Sequence, residues 1–245
     1  MTLKIEILKS GFYKDSEVAG NIASVNQMRS RFGNIINEAC SAGNARIDPF
    51  ILEGLFFIES KGNANASNGG TYGLGQIDPT TASNIPYWLQ KSKLMTDSQR
   101  SKVYQLFGQK LGDCLLGLIY DNSPSYCSGA KKNGKGQMVG PDSTNLITRE
   151  MLLSPTINIW LSAMFMDYLI DKYSTGGTLV TPPTTVRLDR VIVHYNAGQG
   201  NAKKVPTGLT PSDTTAWVGK NLSPITSDYI LKFVGKNGMI DVLTR

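Results

Sequence analysis

The amino-acid sequence predicts a mainly α-helical fold, because apolar residues recur at helical spacing in three long segments. The first series is Val18, Ile22, Val25, Phe32, Ile36 and Ala39. The second is Val103, Leu106, Phe107, Leu111, Leu115 and Leu118, and the third covers residues 158–173. Such spacing places the apolar side chains on one face of a helix. A strand pattern occurs at Leu3, Ile5 and Ile7, so we expect only a small β or loop element.

The composition is that of a globular protein with a full hydrophobic core. The chain has 245 residues, of which 40% are hydrophobic and 18% are charged. This length suits one domain with extensions. No apolar run approaches about 20 residues, so we expect no membrane span. Residues 1–9 are too charged for a signal-peptide core.

A shorter apolar helix is predicted between Asp48 and Gly62. Asp48 suits the N-cap, and Pro49 suits the first helical position because its missing N–H would have no partner there. Gly62 suits the C-terminal cap. Such a helix carries a nearly continuous apolar sequence and ends in a carboxylate, Glu59.

Glu59 is the strongest candidate for a catalytic residue. It follows Leu52, Leu55 and Phe56 by seven, four and three residues, so it projects from the same stripe as core residues. Burial there and the negative end of the helix dipole both raise the pKa of a carboxyl group. A general acid that works near neutral pH requires such a rise. Glu53 is a rival in mid-helix, and a surface pairing of Glu59 with Lys61 is the alternative interpretation.

Three short motifs follow one another along the chain: Glu59-Ser60, Tyr72-Gly73-Leu74-Gly75-Gln76-Ile77 and Tyr195-Asn196-Ala197-Gly198. They closely resemble the ordered signatures of the soluble lytic transglycosylase domain, a lysozyme-like fold that acts on bacterial peptidoglycan. The usual family forms are Glu-Ser, Gly-Leu-Met-Gln-Ile and Ala-Tyr-Asn-Ala-Gly. Residues 153–159 and 224–234 resemble two further helices of that domain. The resemblance extends from about residue 48 to residue 234.

The resemblance implies a lysozyme-like α+β domain over residues 47–245, with an irregular insertion at about residues 85–150. Residues 1–46 then form an N-terminal extension of a strand and an amphipathic helix. This extension either packs onto the catalytic domain or docks onto phage virion proteins. Residues 120–148 are expected to form a long loop, residues 175–185 a linker, and residues 199–223 a turn-rich side of the groove.

The resemblance also implies a mechanism for cleaving the glycosidic bond between N-acetylmuramic acid and N-acetylglucosamine. Glu59 protonates the glycosidic oxygen, the acetamido group of the substrate stabilises the developing charge, and Glu59 then removes the proton of the muramyl 6-hydroxyl. The product is a 1,6-anhydro sugar. Tyr195 is the second expected catalytic residue, and it orients Glu59 or the acetamido group. The expected substrate-binding residues are Ser60, Tyr72, Gly73, Leu74, Gly75, Gln76, Asn196 and Ala197.

The chain departs from the family pattern at three positions. Gly75 replaces the usual Met, and His194 occupies the place of a small residue before the Tyr. Asp78 matches an Asp of the related goose-type lysozymes. If Asp78 holds a water, the reaction becomes hydrolysis with inversion, as in a muramidase. The interpretation we favour is that Asp78 caps a helix that begins at Pro79. A virion structural protein with an inactive domain, and a wall-binding module, are the non-enzymatic alternatives.

Neither a cofactor nor a metal is expected, since one His and scattered carboxylates form no ligand pattern. The net charge of +6 suits an anionic cell wall, and no nucleic-acid-binding motif is present. Without a signal peptide, we expect synthesis in the host cytoplasm and delivery to the wall in a phage virion or at lysis. Cys40, Cys114 and Cys127 are expected to be free thiols, with a Cys114–Cys127 bridge as the alternative outside the cell.

Overall fold

The computed structural model describes residues 5–43, 47–118, 146–175 and 185–245. The mainly α-helical prediction is confirmed, because helices dominate these residues. The helices are α1 (Asp15–Ala42), α2 (Pro49–Ser60), α3 (Pro79–Lys91), α4 (Asp97–Leu115), α5 (Arg149–Leu152), α6 (Pro155–Lys172), α7 (Leu188–Ala202), α8 (Pro211–Asn221), α9 (Pro224–Val234) and α10 (Met239–Leu243). None of the described helices combines the length and apolar character needed to cross a bilayer.

The β structure consists of two short antiparallel pairs. Strands β1 (Ser67–Asn68) and β2 (Thr71–Tyr72) form a hairpin in which Ser67 lies opposite Tyr72. Strands β3 (Ser174–Thr175) and β4 (Thr185–Val186) form the second pair. The strand predicted near the N-terminus is not found over residues 5–7, and Leu8 forms only an isolated parallel bridge with Gly235. Leu3 lies outside the described residues.

The chain divides into two compact units, and the first comprises Met1–Gly33, Asp48–Gly62 and Leu169–Arg245. Helix α9 is central in this unit, because it packs against α2, α7, α8 and α10. Phe56 and Phe233 are among its fully buried side chains. Gly54 allows α10 to approach α2, since a Cβ at Gly54 would lie 2.9 Å from the Cβ of Met239.

The N-terminal residues of the first unit are tied to it by polar and aromatic contacts. Arg29 of α1 donates to both carboxylate oxygens of Glu53 at 2.7 and 2.5 Å. The Asn237 amide donates to Asp15 at 2.6 Å, and the ring of Tyr13 contacts that of Phe57 edge-on. The boundary between the two compact units falls within α1, after Gly33. The predicted domain boundary between residues 46 and 47 stays a prediction.

The second unit comprises Asn34–Ile47 and Asn63–Tyr168. Helices α3 and α4 pack against each other in it. Buried polar groups also join distant parts of its sequence: Gln99 donates to Asp167 at 2.9 Å, and the Ser83 hydroxyl accepts from the backbone N–H of Ile147 at 2.9 Å. The helix predicted from the series Val103 to Leu118 is found as α4, and the end of α3 also lies in the stretch 85–150, so this stretch is partly helical where the structure describes it.

The turn-rich prediction for residues 199–223 is wrong, because α8 forms within them. Thr210 caps this helix by accepting from the N–H of Asp213, and Pro211 follows at its start. Thr214 and Thr215 are buried despite being polar. The hydroxyl of Thr214 accepts from Arg187, and that of Thr215 donates to the carbonyl of Pro211. These hydrogen bonds allow polar side chains to fill a core position.

The structure leaves two predicted segments largely undescribed, and it corrects the prediction for the cysteines. The predicted loop 120–148 lies outside the described residues except at its last three positions, as does most of the linker 175–185. Cys40 is buried, and Cys114 is disulfide-bonded, so the expectation of three free thiols is wrong. Cys127, the partner considered for Cys114, lies outside the described residues.

Candidate active site

Helix α2 places Glu59 at the end of an apolar helix, as the sequence predicts. Residues 51–57 are all buried, and Glu59 stands in the last turn with its side chain partly exposed. Asp48 occupies the N-cap, but its side chain makes no capping hydrogen bond. Lys61, with φ 54°, takes the cap position predicted for Gly62, and Gly62 follows it with φ 74°.

Burial raises the pKa of Glu59 to about 7, and a hydrogen bond from Tyr229 opposes part of that rise. Tyr229 lies on α9, and its hydroxyl donates to Oε1 of Glu59. Because Oε1 accepts this bond, a proton on the neutral carboxyl group belongs on Oε2. The Glu59 carboxyl group therefore keeps its proton to a higher pH than an exposed glutamate does.

Tyr229 is itself almost fully buried, and burial is the main reason that its pKa lies well above its ordinary value. The neighbouring charge of Glu59 raises it further, and Tyr195 and Tyr13 contribute. Tyr229 therefore stays a neutral hydrogen-bond donor over the whole range in which Glu59 titrates. Tyr195 is half-buried on α7, and it is close enough to Tyr229 to affect the pKa of the Tyr229 hydroxyl.

Glu59 is not paired with Lys61, the alternative that the sequence left open. The Lys61 ammonium lies 3.7 Å from the ring centroid of Phe57 and 5.7 Å from that of Tyr13. Within the described residues, no cationic side chain lies at ion-pair distance from Glu59. The rival Glu53 has a different environment, because Arg29 binds both of its oxygens. Of these two carboxylates, Glu59 alone has the environment of a neutral acid.

The motif Tyr195-Asn196-Ala197 lies on α7 directly before a kink. Gly198 has φ 79° and ψ 165°, which interrupts the helix and favours glycine. The Asn196 side chain accepts a hydrogen bond from the hydroxyl of Thr226 on α9 at 2.9 Å. This bond ties the motif to the helix that carries Tyr229. The Ser60 hydroxyl donates to the carbonyl of Phe56 within α2.

The glycine-rich turn lies in the second unit, where Asn158 of α6 binds it. The fully buried Asn158 amide accepts from the N–H of Gly75 at 2.8 Å and donates to the carbonyls of Tyr72 and Leu152. Gly73 has φ 75°, and a Cβ there would lie 2.3 Å from Nδ2 of Asn158. Glycine is thus required at position 73 for the approach of Asn158.

The other residues of this turn are largely engaged within it. Gln76 has φ 46°, donates to the carbonyls of Ala66 and Gly73, and accepts from the Thr71 hydroxyl. Both amide hydrogens of Gln76 therefore brace the hairpin. Leu74 is fully buried, and Tyr72 lies partly exposed under the guanidinium of Arg149 at 5.4 Å. The predicted substrate contacts of these residues remain predictions.

Asp78 is the N-cap of α3, and its carboxylate accepts from the N–H of Thr81 at 2.9 Å. This is the interpretation that the sequence favoured over a catalytic second carboxylate. His194 is buried on α7, where its Nδ1 shares a hydrogen bond with the Tyr173 hydroxyl. Burial, with Lys172 and Lys203 nearby, lowers the pKa of His194 to about 4. His194 is therefore neutral at physiological pH.

Two positioning residues were missed at the sequence level. Tyr229 and Asn158 each lie in a segment that resembles a family helix, but neither was singled out. For Tyr229 the available signal was its place in the buried stripe of α9, which also contains Thr226, Ile230 and Phe233. A tyrosine in such a stripe needs a partner for its hydroxyl.

No protein-family profile matches the chain, and no curated protein is significantly similar to it.

Proposed function

We propose that this protein is a lytic transglycosylase that cleaves the bond between N-acetylmuramic acid and N-acetylglucosamine in peptidoglycan. The observation that carries the proposal is the environment of Glu59. Its carboxyl group is desolvated, has a pKa of about 7 and receives a hydrogen bond from a neutral phenol. These are the properties of a group that can donate a proton and later accept one at the same pH.

The proposed first step is proton transfer from Oε2 of Glu59 to the glycosidic oxygen. Tyr229 holds Oε1, so the carboxyl group presents its other oxygen to the substrate. As the proton leaves, the Tyr229 bond strengthens, because a phenol donates better to a carboxylate than to a neutral acid. Tyr229 therefore limits the free-energy cost of leaving a charged Glu59 in a buried position.

The second step needs no further carboxylate. In the usual glycosidase pattern a second carboxylate acts as nucleophile or activates water. Burial and Tyr229 account for the shifted pKa of Glu59, and no other carboxylate of the described first unit contributes to it. In the proposed reaction, the acetamido group of the substrate takes the role of the second carboxylate. The ionised Glu59 then removes the proton of the 6-hydroxyl, which closes the anhydro ring.

The other predicted residues take supporting roles in this proposal. Tyr195 orients the acetamido group or Glu59, and Asn196 and Ala197 border the sugar. Glycan contacts of the turn at residues 72–76 remain a prediction from the sequence; within the second unit, Gln76 and Asn158 keep the conformation of this turn. The positive net charge of +6 favours approach to an anionic wall.

The test is digestion of purified sacculi by the wild type and by Glu59→Gln, with mass spectrometry of the soluble products. Glu150→Gln is the matched control, since Glu150 is an exposed carboxylate on α5 of the other unit. We expect anhydro-muropeptides from the wild type and from the control, and none from Glu59→Gln. Circular dichroism verifies that each variant is folded.

Two results would redirect the proposal. Products heavier by one water would indicate hydrolysis, and Asp78→Asn would then be tested next. No soluble product from folded wild-type protein would refute the enzymatic proposal and favour a structural or wall-binding role.

A further inference from the structure

The exposed amide of Asn196 is bound by a buried threonine. Asn196 lies on α7, and its Oδ1 accepts a hydrogen bond from the Thr226 hydroxyl at 2.9 Å. Thr226 is only 4% exposed and lies on α9, which packs against α7. Because Thr226 precedes Tyr229 by three residues, both side chains lie on one face of α9. The bond to Asn196 therefore lies about one helical turn along α9 from the bond between Tyr229 and Glu59.

The burial of Thr226 decides which end of the amide faces it. The oxygen of a carboxamide only accepts hydrogen bonds, and its nitrogen only donates them. Within the described residues, the bond to Asn196 is the one hydrogen bond of the Thr226 hydroxyl. A reversed amide would donate to this hydroxyl and leave the hydroxyl hydrogen buried without an acceptor, which is costly. The orientation with Oδ1 towards Thr226 is therefore favoured.

The nitrogen of the Asn196 amide is left for a ligand. Nδ2 donates to no acceptor in the part of the chain that the structure describes, and Asn196 is exposed. A group that carries only donors matches a group that carries only acceptors, and the carbonyl of an acetamido group is of that kind. N-acetylated sugars, the substrate class of the proposed reaction, carry one such carbonyl on each ring.

The chemistry of the proposed reaction determines which carbonyl Asn196 can bind. The acetamido carbonyl of the reacting N-acetylmuramic acid stabilises the developing positive charge in that reaction. A donor bound to the same oxygen would withdraw electron density from it and oppose this role. The carbonyl bound by Asn196 therefore belongs to a neighbouring sugar of the strand.

We propose that Thr226 is a positioning residue of the candidate active site, which fixes the Asn196 amide so that Nδ2 donates to the acetamido carbonyl of a neighbouring N-acetylglucosamine. Thr226 itself does not touch the sugar, because it is buried. The inference rests on the proposed function and adds to it a preference for N-acetylated strands. Without the Thr226 hydroxyl, the amide turns either end towards the sugar, and its oxygen repels the carbonyl.

The test compares KM and kcat on soluble glycan strands before and after enzymatic removal of the acetyl groups of N-acetylglucosamine. Thr226→Val keeps the shape of the side chain and removes the hydroxyl, whereas Thr226→Ser keeps the hydroxyl. On N-acetylated strands we expect the KM of Thr226→Val to rise about threefold to tenfold with kcat nearly unchanged, because one hydrogen bond outside the reacting sugar is lost. Thr226→Ser should retain the wild-type KM. On de-N-acetylated strands, Thr226→Val and the wild type should have equal KM values.

Two further variants separate positioning from a loss of stability. Thr215→Val is the matched control, since Thr215 is also buried and its hydroxyl donates to the carbonyl of Pro211 within α8. It should leave the KM for both strands unchanged. Asn196→Asp removes the two N–H donors at an exposed position and should abolish the preference for N-acetylated strands, even if Thr226→Val does not fold.

The outcomes distinguish this inference from the proposed function. An unchanged KM in folded Thr226→Val, or an equal rise on both kinds of strand, would overturn the positioning role and leave the proposed function standing. A wild-type preference that persists in Asn196→Asp would have the same meaning. No cleavage of either strand by folded wild-type protein would overturn both.

Discussion

Replacing Tyr229 by Phe tests the electrostatic account of the proposed general acid most directly. The substitution keeps the buried ring and removes only the hydroxyl that donates to Oε1 of Glu59. That bond lowers the pKa of Glu59, whereas burial raises it to about 7. Removing the bond leaves burial unopposed, so the pKa of Glu59 should rise further.

The size of the rise follows from the strength of one hydrogen bond to a charged group. Such a bond contributes about 1.5–3 kcal/mol. Since one pKa unit corresponds to about 1.4 kcal/mol, the expected rise is about 1 to 2 units. The pKa of Glu59 in Tyr229→Phe should therefore lie at about 8 or above.

The assay is a pH titration of carbon-13-labelled glutamate carboxyl groups by NMR, with Glu59→Gln identifying the Glu59 signal. The alkaline limb of the pH dependence of kcat/KM should move upward by the same amount, because that limb reports loss of the protonated acid. Tyr104→Phe is the matched control, since the Tyr104 hydroxyl donates to Asp113 at 2.9 Å in the second unit. An unchanged or lower pKa of Glu59 in Tyr229→Phe would refute the reasoning.

Three further predictions concern the free energy of unfolding. Wild-type Glu59 has a higher pKa in the folded protein, about 7, than in the unfolded chain, 4.5, so the wild type loses stability as the pH rises through about 7. A glutamine does not titrate and avoids this loss. Glu59→Gln should therefore stabilise the protein by about 3 kcal/mol near pH 8 and hardly at all near pH 4. Asn158→Ala should lower the free energy of unfolding by about 3 kcal/mol through loss of three hydrogen bonds. Arg29→Met should lower it by about 2 kcal/mol, less than for a fully buried pair because Arg29 is half exposed.

Urea unfolding monitored by circular dichroism measures all three changes. A stabilisation by Glu59→Gln that does not vary with pH would show that the Glu59 carboxyl is not desolvated as described. Asn34→Ala, an exposed substitution on α1, is the control for Asn158→Ala, and equal effects would contradict the bracing role of Asn158. Arg31→Met, two residues from Arg29, controls for the loss of a surface arginine. If both arginine variants behave alike, the Arg29–Glu53 pair contributes nothing specific.

Much of the fold was predictable because it depends on local pattern. The apolar periodicity of α1, α4 and α6, and the Asp-Pro and Thr-Pro starts of α2, α3 and α8, are properties of short segments. Helix α8 was still missed, because its core positions hold Thr214 and Thr215, whose hydroxyls are satisfied only by Arg187 and by the helix itself. A helix prediction that counts only apolar residues overlooks a helix whose buried positions are threonines.

The sequence alone determined that a carboxylate ends an apolar helix and that its neighbours in the chain are apolar. The direction of the Glu59 side chain follows from that spacing, and the motifs at residues 59–60, 72–77 and 195–198 were needed in addition to select Glu59 as the catalytic candidate. The tertiary structure decided which group meets the carboxylate. Tyr229 lies 170 positions away along the chain, and Asn158 lies 83 positions from the glycine it binds. Hydrogen bonds over such separations depend on how helices pack, and no local pattern specifies that packing.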